Sequence, residues 1–288
     1  MLTVLAPAKL NLTLEVLAKR ADGFHEIRSV IQAINLCDSL RFRLSKTVEF
    51  NCNDPGWVPA KSLVSKAASL LQRTTGCSKG VAIEVDKRIP LVSGLSGDSS
   101  DAAAVLRGLN KLWGLGLSLG ELLGLASQLG SDVAFFLYGG TAVVRGRGEI
   151  VTSLPPFPHM WVVIMLPPVP RLPGKTQRLY TSLKPSRYTD GQITDRFAVL
   201  LMGGREIALS MLFNVLDKVA VDSFAGLEEY WQQFLKAGAQ EVHLAGSGPA
   251  LFTLVKDKAE AEKIYHNLQQ QGLETYLTET LAAKETVK

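Results

Sequence analysis

The chain has little with which to build a disulfide framework or a zinc site. Its three cysteines, Cys37, Cys52 and Cys77, are odd in number, widely spaced and without a C-x-x-C pair. That excludes the usual zinc-ligand patterns and a stapled secreted scaffold, and the expectation is free thiols in a reducing cytoplasm. Long apolar runs are also missing. The opening MLTVLAPAKLNLTLEV is interrupted by Lys9 and has no basic region ahead of it, and the stretch from Met160 soon meets Pro167 and Pro168. Neither suits a signal peptide or a membrane span, so a cytoplasmic location is expected. No cluster of Lys and Arg with interleaved aromatics occurs, which argues against RNA binding. Internal repeats and low-complexity segments are absent.

Several nucleotide and nucleophile motifs are also lacking. Gly174-Lys175-Thr176 has the tail of a Walker A loop, but the glycine required five residues earlier is Val169. Gly94-Leu95-Ser96 begins like a nucleophile elbow, yet Asp98 stands where its closing glycine belongs, and neither H-R-D nor D-F-G of protein kinases is present. A nucleotide site here must be of another type.

What is present is ordinary globular material. The 288 residues are 47% hydrophobic and 20% charged, enough for one large domain or two medium ones. Thirty-one basic against 27 acidic side chains leave a formal +4, a balance that suits an anionic ligand such as a nucleotide.

The first half reads as strand-rich. Leu10, Leu12, Leu14 and Val16 alternate with Asn11, Thr13 and Glu15, and residues 40–44 alternate apolar with basic. A helix is expected at 61–72 and a strand at 81–85. Ser99 or Ser100 can cap a helix carrying Val105, Leu106, Leu109, Leu112 and Trp113, and Ser118 with Glu121 forms a capping box for another that stops at Gly130. Strands follow at 141–145 and 160–166. Seven prolines crowd the span from Pro155 to Pro173 and place a domain boundary there, dividing 1–155 from 156–288. Beyond it helices are expected at 175–183, 195–201, 222–237 and 258–270, with strands at 241–244, 250–255 and 274–278. The fold class is α+β in two halves.

The most informative stretch is Pro90-Leu91-Val92-Ser93-Gly94-Leu95-Ser96-Gly97-Asp98-Ser99-Ser100. A strand, a glycine- and serine-rich loop and then a helix make an arrangement that can bind phosphate. Gly94 and Gly97 let backbone approach an anion, and the first turn of the helix offers free N–H groups and a partial positive charge. Read on its own, the stretch is equally a flexible loop with a serine cap. Gly139-Gly140, Gly146-Arg147-Gly148-Glu149 and Gly246-Ser247-Gly248 are further glycine clusters, each by itself more often a hairpin turn than a site.

Five segments together resemble a known family: Pro7-Ala8-Lys9-Leu10-Asn11-Leu12, Asp22-Gly23-Phe24-His25-Glu26, the loop at 90–103, Gly130-Ser131-Asp132-Val133 and Gly246-Ser247-Gly248-Pro249. The combination is similar to the GHMP kinase superfamily. The Lys9 and Phe24-His25 segments point to its branch acting on a cytidine-diphosphate-linked sugar alcohol in non-mevalonate isoprenoid biosynthesis. The resemblance implies a two-domain fold, with an N-terminal half like ribosomal protein S5 domain 2 and a ferredoxin-like C-terminal half. It also implies ATP and Mg²⁺, transfer to the 2-hydroxyl of 4-diphosphocytidyl-2-C-methyl-D-erythritol, no nucleic-acid or membrane partner, and a monomer or homodimer. The resemblance further makes Asp132 the acceptor of the hydroxyl proton and Lys9 the cation beside it. Pro90 to Ser100 would bind the phosphates. Asn11, Phe24, His25, Tyr180, Gly246, Ser247 and Gly248 would bind substrate, with the aromatics on the cytosine. Alternatives are another GHMP kinase with a different alcohol, or a non-catalytic relative. Keeping both Lys9 and Asp132 argues against the latter.

Two departures stand out. The family more often has tyrosine where this chain has Phe24, and more glycine where it has Ser93, Ser96 and Asp98. A carboxylate beside a triphosphate is repelled unless a cation intervenes. Asp98 is therefore expected either to point outward or, with Ser99 as the other candidate, to help hold the metal.

Overall fold

The computed structural model describes residues 1–170 and 174–283; Pro173, one of the boundary prolines, lies outside them. The chain opens with two strands, β1 (Leu2–Lys19) and β2 (His25–Ser45), paired antiparallel along nearly their whole length. Irregularities between Pro7 and Ala8, Asn11 and Thr13, and Val16 and Ala18 shift the register. Such bulges bend the ribbon and re-aim side chains.

In chain order there follow β3 (Val48–Cys52), α1 (Leu63–Thr75), β4 (Gly80–Asp86), α2 (Gly97–Trp113), α3 (Leu119–Leu129), α4 (Val133–Tyr138), β5 (Thr141–Gly146) and β6 (Ile150–Ser153). The second half contains β7 (Trp161–Leu166), α5 (Lys175–Ser182), α6 (Gln192–Met202), β8 (Phe213–Asn214), α7 (Asp217–Ser223), α8 (Leu227–Lys236), β9 (His243–Leu244), β10 (Leu251–Val255), α9 (Lys258–Gln270) and β11 (Glu274–Glu279). The first sheet runs β3-β4-β2-β1-β8, with β5 on β2 and β6 on β5. The second runs β11-β7-β10-β9 and is antiparallel throughout. This is the α+β arrangement expected. One strand crosses between the halves: β8 pairs in parallel with β1 through Thr13 and Phe213.

Helices α1 to α4 cover one face of the first sheet. Helix α2 is buried on nearly all sides, and Gly108 brings it so close to Phe42 of β2 that a Cβ there would lie 2.8 Å from the ring. Full burial of a ring such as Phe42 is worth about 2–3 kcal/mol. On the other face Leu10 and Leu12 join a cluster with Phe157, Phe197 and Phe252, so the two halves share apolar contacts.

Three expectations need correction, and one element is new. The polar positions of β1 are as buried as the apolar ones, because Thr13 bonds Thr194 at 2.9 Å and Glu15 accepts from the Thr194 N–H at 2.7 Å. Helix α2 begins at Gly97, so neither Ser99 nor Ser100 caps it; its N-cap is Ser96. The helix expected at 222–237 is two, α7 and α8, parted by Gly226 in a left-handed conformation at φ 83°. Helix α4 was not foreseen, since VAFFLY has no polar face to set a helical period. The capping box of α3 is present as read. No described helix is long and apolar enough to cross a membrane.

Candidate functional site

One cleft of about 1040 Å³ opens where β1, the loop before α2, the start of α4, α5 and the turn at 246–248 converge. It brings Lys9, Asn11, Phe24, His25, Ser93, Gly94, Ser96, Gly97, Asp98, Ser99, Asp132, Tyr180, Gly246 and Ser247 to one wall or another. Pro90, Leu91 and Val92 form its rim. Leu95 is buried beneath, where its carbonyl accepts from the Lys9 N–H at 3.2 Å. Ser100 is buried too, its hydroxyl without a hydrogen-bond partner.

The charged centre is built by β1 and α4. Lys9 Nζ lies 3.7 Å from Asp132 Oδ2 and donates to Asn11 Oδ1 at 2.7 Å. Asn11 is held in turn, its amide donating to Ser29 Oγ at 2.7 Å, while the Ser29 hydroxyl donates to the Thr13 carbonyl. This relay aims the ammonium. Asp132 occupies the N-cap position of α4 but makes no capping bond. It accepts instead from the Ser96 hydroxyl at 2.5 Å, and its side chain stays 31% exposed. Ser96 is therefore diverted from capping α2 to orienting Asp132. It does so in a left-handed conformation at φ 60°, unusual for a residue with a side chain and of the kind that gathers at functional sites.

The loop at 90–100 is seated on the second half by backbone contact. A Cβ on Gly94 would fall 2.0 Å from the Ala245 carbonyl oxygen and 2.8 Å from the Gly248 nitrogen, and the Ala250 N–H donates to the Ser93 carbonyl at 3.1 Å. Only glycine fits at 94. Across this seam the turn at 246–248 approaches Lys9, whose Nζ would lie 3.0 Å from a Cβ on Gly246. The first N–H groups of α2 have no intrahelical acceptors, so together with the helix dipole they favour an anion at the cleft.

Asp98 neither points outward nor stands alone. It accepts from Ser62 Oγ at 2.9 Å and from the Leu63 N–H at 3.2 and 3.1 Å, satisfying the N-terminus of α1 from the first turn of α2. Its charge is thus partly spent on a neighbouring helix.

At the far end of the cleft His25 is buried, with its ring 5.3 Å from Tyr180 and 6.1 Å from Tyr188. Burial, then the nearby Lys19, lowers the His25 imidazole below its ordinary value and keeps it neutral at physiological pH. Burial and then Asp132 push the Tyr180 hydroxyl up, so it remains a hydrogen-bond donor. Phe24 is half exposed, 4.8 Å beneath the Arg147 guanidinium.

Several residues that line the cleft were not singled out from the sequence, among them Lys87, Arg147, Lys175 and Thr176. Arg147 comes from the turn noted only for its glycines. Thr176 bonds Ser247 Oγ at 2.7 Å. Lys175 is buried, and its Nζ donates to the Ser247 carbonyl and hydroxyl, each at 3.3 Å, and to the Gly248 carbonyl. Burial and then the charge of Lys9 lower Lys175 to about 7. The Gly-Lys-Thr triplet was the signal for both, and its mismatch to a Walker A loop hid it.

Known proteins match this chain over nearly its whole length. Residues 62–140 match the model of the GHMP kinases N-terminal domain and residues 201–273 that of the GHMP kinases C-terminal domain. A 4-diphosphocytidyl-2-C-methyl-D-erythritol kinase of Dehalococcoides mccartyi is 52% identical over 98% of this chain and 99% of its own. One from Enterococcus faecalis is 38% identical over 96% and 98%. A crystal structure of 4-(cytidine 5'-diphospho)-2C-methyl-D-erythritol kinase superposes with a TM-score of 0.81 at 31% identity, covering 97% of this chain and 99% of that one. Homoserine kinase from Cytophaga hutchinsonii shares the fold at a TM-score of 0.75 and 22% identity. The chain belongs to the 4-diphosphocytidyl-2-C-methyl-D-erythritol kinase family of GHMP kinases.

Proposed function

We propose that the chain transfers the γ-phosphoryl group of ATP to the 2-hydroxyl of 4-diphosphocytidyl-2-C-methyl-D-erythritol, a step of isoprenoid precursor biosynthesis. The observation that carries the reading is the meeting of Lys9, Ser96 and Asp132 at the mouth of α2. Asp132 takes the proton of the substrate hydroxyl as its oxygen attacks the γ-phosphorus. The new O–P bond forms, the bond to the bridging oxygen of ADP breaks, and ADP leaves. Ser96 donates to one Asp132 oxygen and so orients the carboxylate. Lys9, already fixed by Asn11, offsets negative charge on the attacking oxygen and the transferred phosphoryl group.

The triphosphate lies along 90–99, with backbone N–H groups as donors and Gly94 holding the loop against residues 245–248. Cytosine stacks between the aromatic faces of Phe24 and Tyr180, and His25 reads the base edge. Stacking of this kind contributes about 1–3 kcal/mol per base. The phenol that Phe24 lacks is not needed for stacking, and Arg147 adds a cation above the same ring.

The donor chemistry suits Mg²⁺ carried in on ATP. Among the described residues no three metal-ligating side chains gather, and Asp98 is engaged by α1. The Ser99 hydroxyl, in the first turn of α2 on the cleft wall, would then be a protein oxygen that holds Mg²⁺, with phosphate and water supplying the others, a common pattern for this cation. When bound, Mg²⁺ neutralises phosphate charge. We place the chain in the cytoplasm, acting on small molecules, with a division near residue 155 between its two halves.

The test is a coupled kinase assay over a panel of alcohols with and without the cytidine diphosphate group. Turnover is expected only with the cytidine-linked alcohol. Equal turnover of homoserine or a mevalonate derivative would overturn the reading.

A further inference from the structure

Lys175 is badly placed by local criteria. It opens α5 directly after Gly174, which is left-handed and supplies no side-chain cap. A cation there faces the positive end of the helix dipole. The side chain is also buried, near a second ammonium. What offsets these costs is tertiary: the Ser247 carbonyl, the Ser247 hydroxyl and the Gly248 carbonyl surround its Nζ, and Thr176 adds a bond to Ser247 from the same turn. At the other end of α5 Tyr180 packs on His25. The turn that receives Lys175 is the one pressed against Gly94.

We propose that Lys175 is a positioning residue that locks α5 onto the turn at 246–248, joining the base-binding wall to the phosphate loop as one rigid piece. The inference rests on the reading of this cleft as the site of a cytidine-linked alcohol. An ammonium has three N–H donors for its three acceptors. A neutral amine has two, and its lone pair then opposes a carbonyl oxygen. Protonation therefore tightens the lock.

The charged groups around Lys175 are few. Lys9 faces it from β1 and lowers its affinity for a proton, while Asp132, at the start of α4, neutralises part of Lys9. Tyr180 stays a neutral phenol. Helix α7 also packs on α5, but its Lys218 and Asp222 face solvent, and Asp217 is turned to His243 and the Leu244 N–H. With Lys175 lowered to about 7, the lock is closed below that pH and loosens above it.

The experiment compares wild type, Lys175→Met and Lys175→Gln, the last keeping two N–H donors should the methionine variant fold poorly. In wild type, kcat/KM for the cytidine-linked alcohol is expected to fall as pH rises through about 7, since that ratio reports groups of the free enzyme. In both variants it is expected to start about tenfold lower and to lack this limb, a loss typical of a hydrogen bond to a charged group. The His25 titration, at lower pH, is common to all three. KM for ATP is expected to change less than about twofold, as uniform loss of the alcohol site predicts. Identical pH profiles in wild type and variants, or equal losses for ATP and alcohol, overturn the proposal.

Hydrogen exchange gives a readout independent of turnover. Amides of α5 are expected to exchange about tenfold faster in Lys175→Met while those of α2 are unchanged. If wild type phosphorylates no cytidine-linked alcohol, the functional reading fails and exchange alone decides the lock; unaltered α5 protection rejects it.

Discussion

Two lysine–carboxylate clusters flank the loop at 90–100, and they differ in what water can reach. Lys9 and Asp132 meet across 3.7 Å at the cleft, the carboxylate 31% exposed. Lys87 lies between Asp38 and Asp101, with Nζ 2.8 Å from Asp101 Oδ2, and all three side chains are almost wholly buried. Asp38 is saturated further by the N–H groups of Arg88 at 2.6 Å and Ile89 at 2.8 Å. Burial opposes the charge of Lys87, but Asp101 and then Asp38 more than offset it and raise the ammonium above its ordinary value. Burial raises Asp101, with Lys87 pulling the other way. The same residue types thus serve opposite ends. The closed cluster pins the end of β4 to the first turn of α2, whereas the open one presents its carboxylate to the cleft, within reach of a ligand.

Mutation should separate the two. Asp132→Ala is expected to lower kcat by about 10²–10⁴-fold, the range for a lost general base, with substrate binding and thermal midpoint preserved. Single-turnover kinetics checks this, and near-normal turnover would remove Asp132 from the chemistry. Lys87→Met should do the reverse. It strands two buried carboxylates, and the expected loss is about 3–5 kcal/mol in urea unfolding. The folded remainder should keep kcat within a few-fold, and a collapse of kcat at unchanged stability would erase the contrast. Asp98→Ala belongs between the clusters and is the smallest. Losing its bonds to Ser62 and Leu63 should cost about 1 kcal/mol, as for a missing helix cap. ATP affinity by calorimetry should hold or tighten, because a negative charge leaves the phosphate loop; a marked loss would make Asp98 a metal ligand.

Legibility in the sequence followed the range of the interaction. The capping box at Ser118 and Glu121 was readable because both partners lie in one turn. The two short alternations at 10–16 and 40–44 marked strands correctly but not their extent, because β1 and β2 are held by each other across bulges. Asp98 looked like an obstacle to ATP from its neighbours alone. Its actual partners, Ser62 and Leu63, belong to another helix. The closed cluster was invisible for the same reason, since Asp38, Lys87 and Asp101 come from three separate segments.

By itself, then, the order of residues determined the glycine- and serine-rich loop ahead of α2, the α+β class and the set of residues, Lys9, Asp132, Phe24 and His25 among them, whose company marks the family. Tertiary structure alone decided that Ser96 serves Asp132 instead of capping its helix, that Asp98 turns away to α1, and that Lys175 is buried against the turn at 246–248. Turns, caps and periodicities are set by neighbours within a few residues, where sequence and geometry are nearly the same thing. Contacts between distant segments depend on strand register and helix packing, and only the assembled core fixes those.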